Sequence, residues 1–377
     1  MKILLYGVET NNKGAELMLY AILQEIERRH PEAKVYIPHY RVRQGLDYVK
    51  TSLDFRFVPY GEFLEKSHIN GVIRRLGFNK IECMNYVKAD YFLDASGFLF
   101  SDHCMLWSTT PQWWENVLSH QYKQGARIVF LPQAFGPFKT EKTRSALKSV
   151  GKYASLIMAR EDVSYNYLRE TGLVEMEKVK KFTDFTSLVE GEFPSKYEEL
   201  RNGVCIIPNM AMISSGKIMD NDYIMLLSKF VQKGKESGHP VYLLNHEGPE
   251  DERLCLRCKE QLGDNIHVVS GLNALEVKGL IASAFLVVTS RFHGLASALN
   301  CKVPCLSTSW SHKYEELYKD YGLKSMVLPL DDNEKALNVL DEYLNNENNM
   351  KIREVLSGNV PKVKYQTEMM WEEVWNL

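Results

Sequence analysis

Short apolar runs rich in β-branched and aromatic residues alternate, from end to end of the chain, with longer stretches whose apolar residues recur at helical spacing. In the first half the strand-like runs are KILLYGV (2–8), KVYIP (34–38), DYFLDAS (90–96), RIVFLPQ (127–133) and SLIMARE (155–161). Helical patterns fall between them. Residues 13–29 carry Met18, Ala21, Ile22 and Ile26 on one face, PQWWENVLSHQYKQG (111–125) precedes 127–133, and a helix to Thr171 is stopped by Gly172. The second half restarts the alternation with strands predicted at 203–209, 240–247, 266–270, 285–290, 303–308 and 325–330. Helices are predicted at 220–236, 250–262, 273–282, 293–300 and 312–320. Strands and helices in strict alternation imply parallel sheets covered on both faces. Two such halves, joined near 188–202, predict an α/β protein of two doubly wound, Rossmann-like domains facing a cleft. The expected boundaries are 1–190 and 203–345, with 346–377 a helical segment packing back on the body. No short repeat is present, which excludes a solenoid.

The chain's 377 residues suit two domains better than one core. A formal net charge of −2 offers no global basic field for nucleic acid. The sequence carries no uninterrupted apolar run of membrane-spanning length, and MKILLYGVET reads as a strand, so a cytoplasmic, soluble protein is expected. The segment 69–80 mixes basic and apolar residues and leaves open a peripheral contact with the inner face of a membrane. Seven cysteines without a regular framework fit a reducing compartment. Cys255 and Cys258 form a CxxC inside an amphipathic helix, with no second ligand pair at zinc spacing. With no HExxH, no GxSxG and no histidine pair at metal spacing, neither a metal nor a bound cofactor is expected.

In open parallel sheets ligands gather beyond the carboxyl ends of the strands. Those ends carry Asn11, Asn12 and Lys13; Asp94 and Ser96; Gln133; Arg160 and Glu161; Asn209; Asn245, His246 and Glu247; Ser290 to His293; and Ser309, His312 and Lys313. They come from both halves, which locates the expected chemistry between the domains. The most informative stretch is LVVTSRFHGLASALNCKVPCL (286–306). A helix beginning near His293 offers free N–H groups and a positive dipole end, and Arg291 adds a planar fork for carboxylate or phosphate. The alternative is a helix capped by Ser290, with Arg291 paired to a surface acid and His293 filling space. Arg160 has a similar alternative in an ion pair with Glu161, Asp162 or Glu170. Lys313 reads equally as a solvated helix residue, and the asparagines as turn residues. Trp107, Trp113 and Trp114 divide between core packing and a sugar-facing role. NNKGAE has one glycine where a dinucleotide fingerprint needs three.

NNKGAELML, LPQAFGPF, AREDVSYNYL, SRFHGLASALNCKVPCL and SHKYEELYKDYGL, in this order, resemble the polysaccharide pyruvyl transferases. The resemblance runs from residue 1 to about 325. It departs at DASGFLFSD, where the family often has a run of glycines. It implies a glycosyltransferase-B-like architecture and transfer of a pyruvyl group from phosphoenolpyruvate to a sugar, as a cyclic ketal bridging two hydroxyls. Two cationic clamps suit that donor's phosphate and carboxylate, and Arg160 and Arg291 are the expected pair, with Phe292, His293 and Lys313 beside them. His293 is the expected general acid, with Glu247, Asp184 and Asp94 the candidate bases. Asn11, Asn12, Lys13, Asp94, Ser96, Gln133 and Trp113 are expected on the acceptor side, toward a lipid- or nucleotide-linked sugar. Two rival functions stand beside this one. A glycosyltransferase using a nucleotide sugar would need an acidic ribose ligand, for which Glu315 and Glu316 are available. The other rival is a non-catalytic carbohydrate- or anion-binding subunit.

Overall fold

The computed structural model describes residues 1–38, 51–58, 87–102, 104, 109–263, 266–308 and 313–377. Trp107, Ser309, His312 and the basic segment 69–80 lie outside the described residues. The chain divides into two units: Met1–Thr10, Met18–Phe185 and Met369–Leu377 in the first, Asn11–Leu17 and Thr186–Glu368 in the second. The division differs from the expected one in three places, the first being residues 186–190, which count with the second unit. Asn11, Asn12 and Lys13 count with the second unit, and the last turns of the chain count with the first.

The first unit holds a parallel sheet of order β3-β2-β1-β4-β5-β6-β7. Its strands are β1 Lys2–Tyr6, β2 Lys34–Pro38, β3 Asp54–Val58, β4 Tyr91–Asp94, β5 Arg127–Gln133, β6 Leu156–Ala159 and β7 Val179–Lys181. β4 and β6 are buried along their whole length, which is why they read as apolar runs, β4 broken only at its end by Asp94. β3 and β7 lie at the two edges, and their charged residues hid them from an apolar-run criterion. Helices α1 Lys13–Arg29, α2 Pro111–Lys123, α3 Glu141–Tyr153 and α4 Asp162–Thr171 follow strands or connect them. α2 starts with Pro at its first turn behind Thr110, whose side chain accepts from the Trp113 N–H at 3.1 Å. Gly172 ends α4 in a left-handed conformation at φ 62°, as its position after Thr171 predicted. The core is aromatic: Trp114 packs on Phe100 with centroids 4.7 Å apart, and Tyr6 on Trp114 at 5.1 Å.

The second unit repeats the plan with β8 Val204–Ile207, β9 Val241–Leu244, β10 His267–Val269, β11 Leu286–Thr289 and β12 Cys305–Ser307, in the order β10-β9-β8-β11-β12. Its helices are α5 Ala211–Ser214, α6 Asp220–Glu236, α7 Gly248–Gln261, α8 Ala274–Ala282, α9 Phe292–Asn300, α10 Lys313–Asp320, α11 Asn333–Leu344 and α12 Asn346–Trp375. α12 counts with the second unit as far as Glu368 and with the first from Met369. Residues 325–330 are not a strand. They touch β12 through one bridge, Ser307 to Val327, and Pro329 has no N–H with which to extend the ladder. Cys255 and Cys258 are fully buried in α7, where burial pushes both thiols up.

Both sheets reverse their strand order once, at β1/β4 and at β8/β11. Each unit therefore has one topological switch point, where the crevice beyond the strand ends can take a ligand. In the first unit that point is occupied by the turn after β4, and in the second by the turn after β11.

Candidate active site

In the second unit β11 ends in a turn held from several sides. The Ser290 N–H donates to the Ile207 carbonyl at 2.9 Å, while the Ser290 carbonyl accepts from Asn209 Nδ2 at 2.9 Å and the Tyr314 hydroxyl at 2.6 Å. The Ser290 hydroxyl is shared with Tyr223 at 2.6 Å and with Thr308. Ser290 thus does not cap the helix; Arg291 occupies the N-cap position, and its side chain makes no cap hydrogen bond. α9 begins one residue before His293, at Phe292.

The Arg291 guanidinium is 15% exposed and faces two carboxylates of different character. Asp251, 0% exposed, takes Nε at 2.8 Å and Nη2 at 2.6 Å on one oxygen, while its other oxygen accepts the Met210 N–H at 2.9 Å. Glu247, 33% exposed, pairs with Nη1. Burial works against both members of the inner pair. It lowers Arg291 to about 10 and raises the Asp251 carboxyl to about 7, and their direct contact opposes that cost. Arg291 is therefore paired, but its two-point partner is the buried Asp251 rather than a surface acid, and only Glu247 keeps a third of its surface.

Two further segments reach this turn. The backbone N–H of Lys13 donates to the His246 carbonyl at 3.3 Å, and Asn12 forms an antiparallel bridge with Glu247. Asn12 Oδ1 accepts the N–H groups of Gly14 (2.9 Å) and Ala15 (3.3 Å), so it caps α1. Gly14 lies so close to His293 that a Cβ built there would sit 2.2 Å from its Nδ1. Lys13 Nζ meets Glu16 at 2.5 Å, and Glu16, 0% exposed, also accepts the Ala274 N–H at 3.2 Å. Phe292 is buried, with its ring 5.3 Å from that of His293 and under Lys313 Nζ at 5.4 Å. His246 is 3% exposed and its Nδ1 has no hydrogen-bond partner among the described residues. Desolvation first, then the charges of Arg291, His293 and Lys13, hold it well below the ordinary histidine range.

In the first unit the switch point carries a buried polar network. Asp94 Oδ1 accepts Ser96 Oγ and Gln133 Nε2, each at 2.7 Å, and Ser96 Oγ also reaches Gln133 Oε1 at 3.2 Å. Gly7 comes so close that a Cβ would lie 2.4 Å from the Ser96 Cα, a contact only glycine tolerates. The Gln133 carbonyl accepts the Arg160 N–H at 3.0 Å, and the Arg160 side chain, 5% exposed, lies 3.7 Å from Glu161. Asp184 is buried at the end of this unit. Trp113 is 5% exposed, with Tyr6 at 5.4 Å and Trp114 at 4.9 Å, so its ring serves the core.

The structure thus brings Asn12, Lys13, Glu247, Arg291, Phe292, His293 and Lys313 into the second unit, and Asp94, Ser96, Gln133, Arg160, Trp113 and Asp184 into the first. His246 stood among the strand-end residues without a role of its own, and Gly14 and Asp251 were not selected from the sequence. His246 had a signal in the polar triplet Asn245–Glu247 after β9. Asp251 sits in the first turn of an amphipathic helix, where an acid is expected for dipole reasons and its burial is invisible.

The sequence profile of the family described as "Polysaccharide pyruvyl transferase" matches residues 12–312. The chain belongs to this family. Its match takes in β4, the switch point at β8/β11 and the segment from Glu247 to His293. A polysaccharide pyruvyl transferase is a transferase acting in polysaccharide modification. No curated protein matches the chain in sequence. In fold, this family member is similar to Anabaena HepE in complex with UDP-glucose, at 13% identity over 100% of both chains with a TM-score of 0.63. It is also similar to the UDP-GlcNAc 2-epimerase of Neisseria meningitidis bound to UDP-GlcNAc, at 11% identity over 100% of both chains and a TM-score of 0.61. The enzyme of that name from Methanocaldococcus jannaschii gives 13% identity, 100% of both chains and a TM-score of 0.60. The fold is accordingly glycosyltransferase-B-like, built from two parallel-sheet α/β domains, and no helix among the described residues is long and apolar enough to cross a membrane.

Proposed function

We propose that the protein transfers a pyruvyl group from phosphoenolpyruvate to two hydroxyls of one sugar, as a cyclic ketal, with release of phosphate. The observation that carries this reading is Arg291 at the N-cap of α9 with His293 in its first turn, packed against Gly14. A helix N-terminus, a guanidinium and an imidazole suit a small polyanion. The chemistry asks for a proton at C3 of the enol, which makes C2 electrophilic, and His293 is assigned as its donor. One sugar oxygen then bonds to C2, the C2–O bond to phosphate breaks, and the second oxygen closes the ring. Of the two hydroxyl protons, one replaces that delivered to C3 and the other leaves with phosphate, so no cofactor or metal is required.

In this reading Arg160 takes the donor's second anionic group, Phe292 and Lys313 border the donor, and Glu247 or Asp184 accepts a hydroxyl proton. Asn11, Asn12, Asp94, Ser96 and Gln133 belong to the acceptor side, through backbone groups where their side chains are already engaged. The acceptor is a lipid- or nucleotide-linked sugar of a surface polysaccharide precursor, met in the cytoplasm or at the inner face of the membrane. Incubating the protein with phosphoenolpyruvate and candidate acceptors tests this, with phosphate release and a mass gain on the sugar as readouts. Transfer of a sugar from a UDP-sugar, with no phosphate released from phosphoenolpyruvate, would replace it with a second reading. That second reading is favoured by the UDP-sugars bound in structures of similar fold.

A further inference from the structure

Arg291 is held by two carboxylates that differ in every respect bearing on whether they can leave. Asp251 has no exposed surface, contacts the guanidinium through both Nε and Nη2, and is fixed by the Met210 N–H. Glu247 is one-third exposed and touches only Nη1. It stands at the N-cap of α7 yet makes no side-chain hydrogen bond to that helix, so nothing in its own element holds the carboxylate in place. Its backbone, by contrast, is pinned by the bridge to Asn12 and by donation to Asn245 Oδ1 at 3.2 Å. The main chain is fixed by its neighbours, whereas the carboxylate is held through Arg291 Nη1.

We propose that the two acids have separate jobs: Asp251 is a positioning residue that aims the Arg291 fork, and Glu247 is an exchangeable internal anion. Glu247 covers Nη1 until an anionic group of the substrate takes its place. The inference rests on the reading of Arg291 as an anion clamp. Displacement needs no backbone movement, because rotation about the Glu247 side chain suffices. The internal carboxylate keeps the guanidinium neutralised and oriented when the site is empty, and it screens out anions too weak to compete with it. Nη1 is then the part of the fork that Glu247 releases to ligand, and Asp251 fixes its direction from behind.

The two acids predict opposite signs on substitution. Titrating the full chain calorimetrically with phosphoenolpyruvate, and separately with inorganic phosphate, Glu247→Gln binds each about two- to fivefold more tightly, the worth of a partly exposed ion pair that no longer has to be broken. Asp251→Asn binds each about tenfold or more weakly, because the fork loses its buried partner. Glu247→Gln affinity equal to or weaker than wild type overturns the exchange. Since Glu247 is partly exposed, that arm stands even where Asp251→Asn fails to fold; a folded Asp251→Asn of wild-type affinity overturns the positioning role. Absence of binding of either anion to wild type overturns the proposal outright. Wild type that binds both anions with these signs yet releases no phosphate would sink the pyruvyl transfer reading and leave the exchange standing.

Discussion

Gly14→Ala tests the assembly of the site with one methyl group. The new Cβ would lie 2.2 Å from Nδ1 and 2.5 Å from Cγ of His293. Ordinary contact needs about 3.5 Å, so the imidazole must retreat by about 1.3 Å. A displacement of about 1 Å in a reacting group costs on the order of 100-fold in rate. That corresponds to about 2.7 kcal/mol in the barrier. Stability falls as well, by about 1–3 kcal/mol for the overpacked ring, offset in part by the preference of helices for Ala over Gly, up to about 1 kcal/mol. A matched control is Gly358→Ala in α12, where a Cβ meets nothing within 4 Å; it should gain stability and leave activity alone. The assay is phosphate release from phosphoenolpyruvate with an acceptor that wild type uses, alongside thermal unfolding and the imidazole NMR signals of His293. A folded Gly14→Ala protein with wild-type turnover and unshifted His293 signals would refute the reasoning, because His293 would then neither sit against Gly14 nor depend on that position.

Three other perturbations follow from the same geometry. His246 is held below its ordinary value of 6.5, so the unfolded chain takes up this proton first, and its contribution to stability is present above pH 6.5 and lost as pH falls below it, by up to about 1.4 kcal/mol per unit; urea midpoints at pH 7.5 and 5.5 should lose part of their difference in His246→Asn, and an unchanged difference would count against it. Trp113→Ala should cost about 3–5 kcal/mol in urea unfolding, and a loss under about 1 kcal/mol would put that ring at the surface. Asp94→Ala leaves Ser96 Oγ and Gln133 Nε2 without their carboxylate and should cost at least about 2 kcal/mol, with Asp94→Asn clearly milder because it keeps an acceptor oxygen; equal losses would mean that hydrogen bonding is not what Asp94 supplies.

Most of the strands that the sequence revealed are buried along their length; the edge strand β10, partly exposed, was found too, from the run IHVVS. β5 was readable to the residue because a parallel strand in the middle of a sheet has no face for polar side chains. β3 and β7 have an open edge, so Asp54, Arg56 and the two lysines of β7 broke the pattern without breaking the strand. α3 was overlooked because its buried positions include Thr143, Ser149 and Gly151, which carry no hydrophobic signal. The failure at 325–330 has the converse cause: the run is apolar enough for a strand, but β12 offers it only a short edge and Pro329 stops the pairing.

The site divides in the same physical way. Residues at strand ends were legible because topology alone sends ligands there, and Arg291 and His293 follow from that rule. What the rule cannot supply is the set of partners brought in by tertiary contact. Asp251 is four residues into α7 beyond Glu247, so an acid at either position looks the same in sequence. Only burial separates them: one acid has lost all solvent and the other keeps a third of its surface. Gly14 is a still clearer case, since its importance lies in what it lacks, and only the His293 ring beside it shows why. A charged residue announces a possible chemistry; whether its charge is free, fixed or exchangeable is decided by neighbours far away in the chain. For Arg291 those neighbours turn a residue that looked like a clamp into one that already holds an internal anion, and a substrate must match that anion before it can bind.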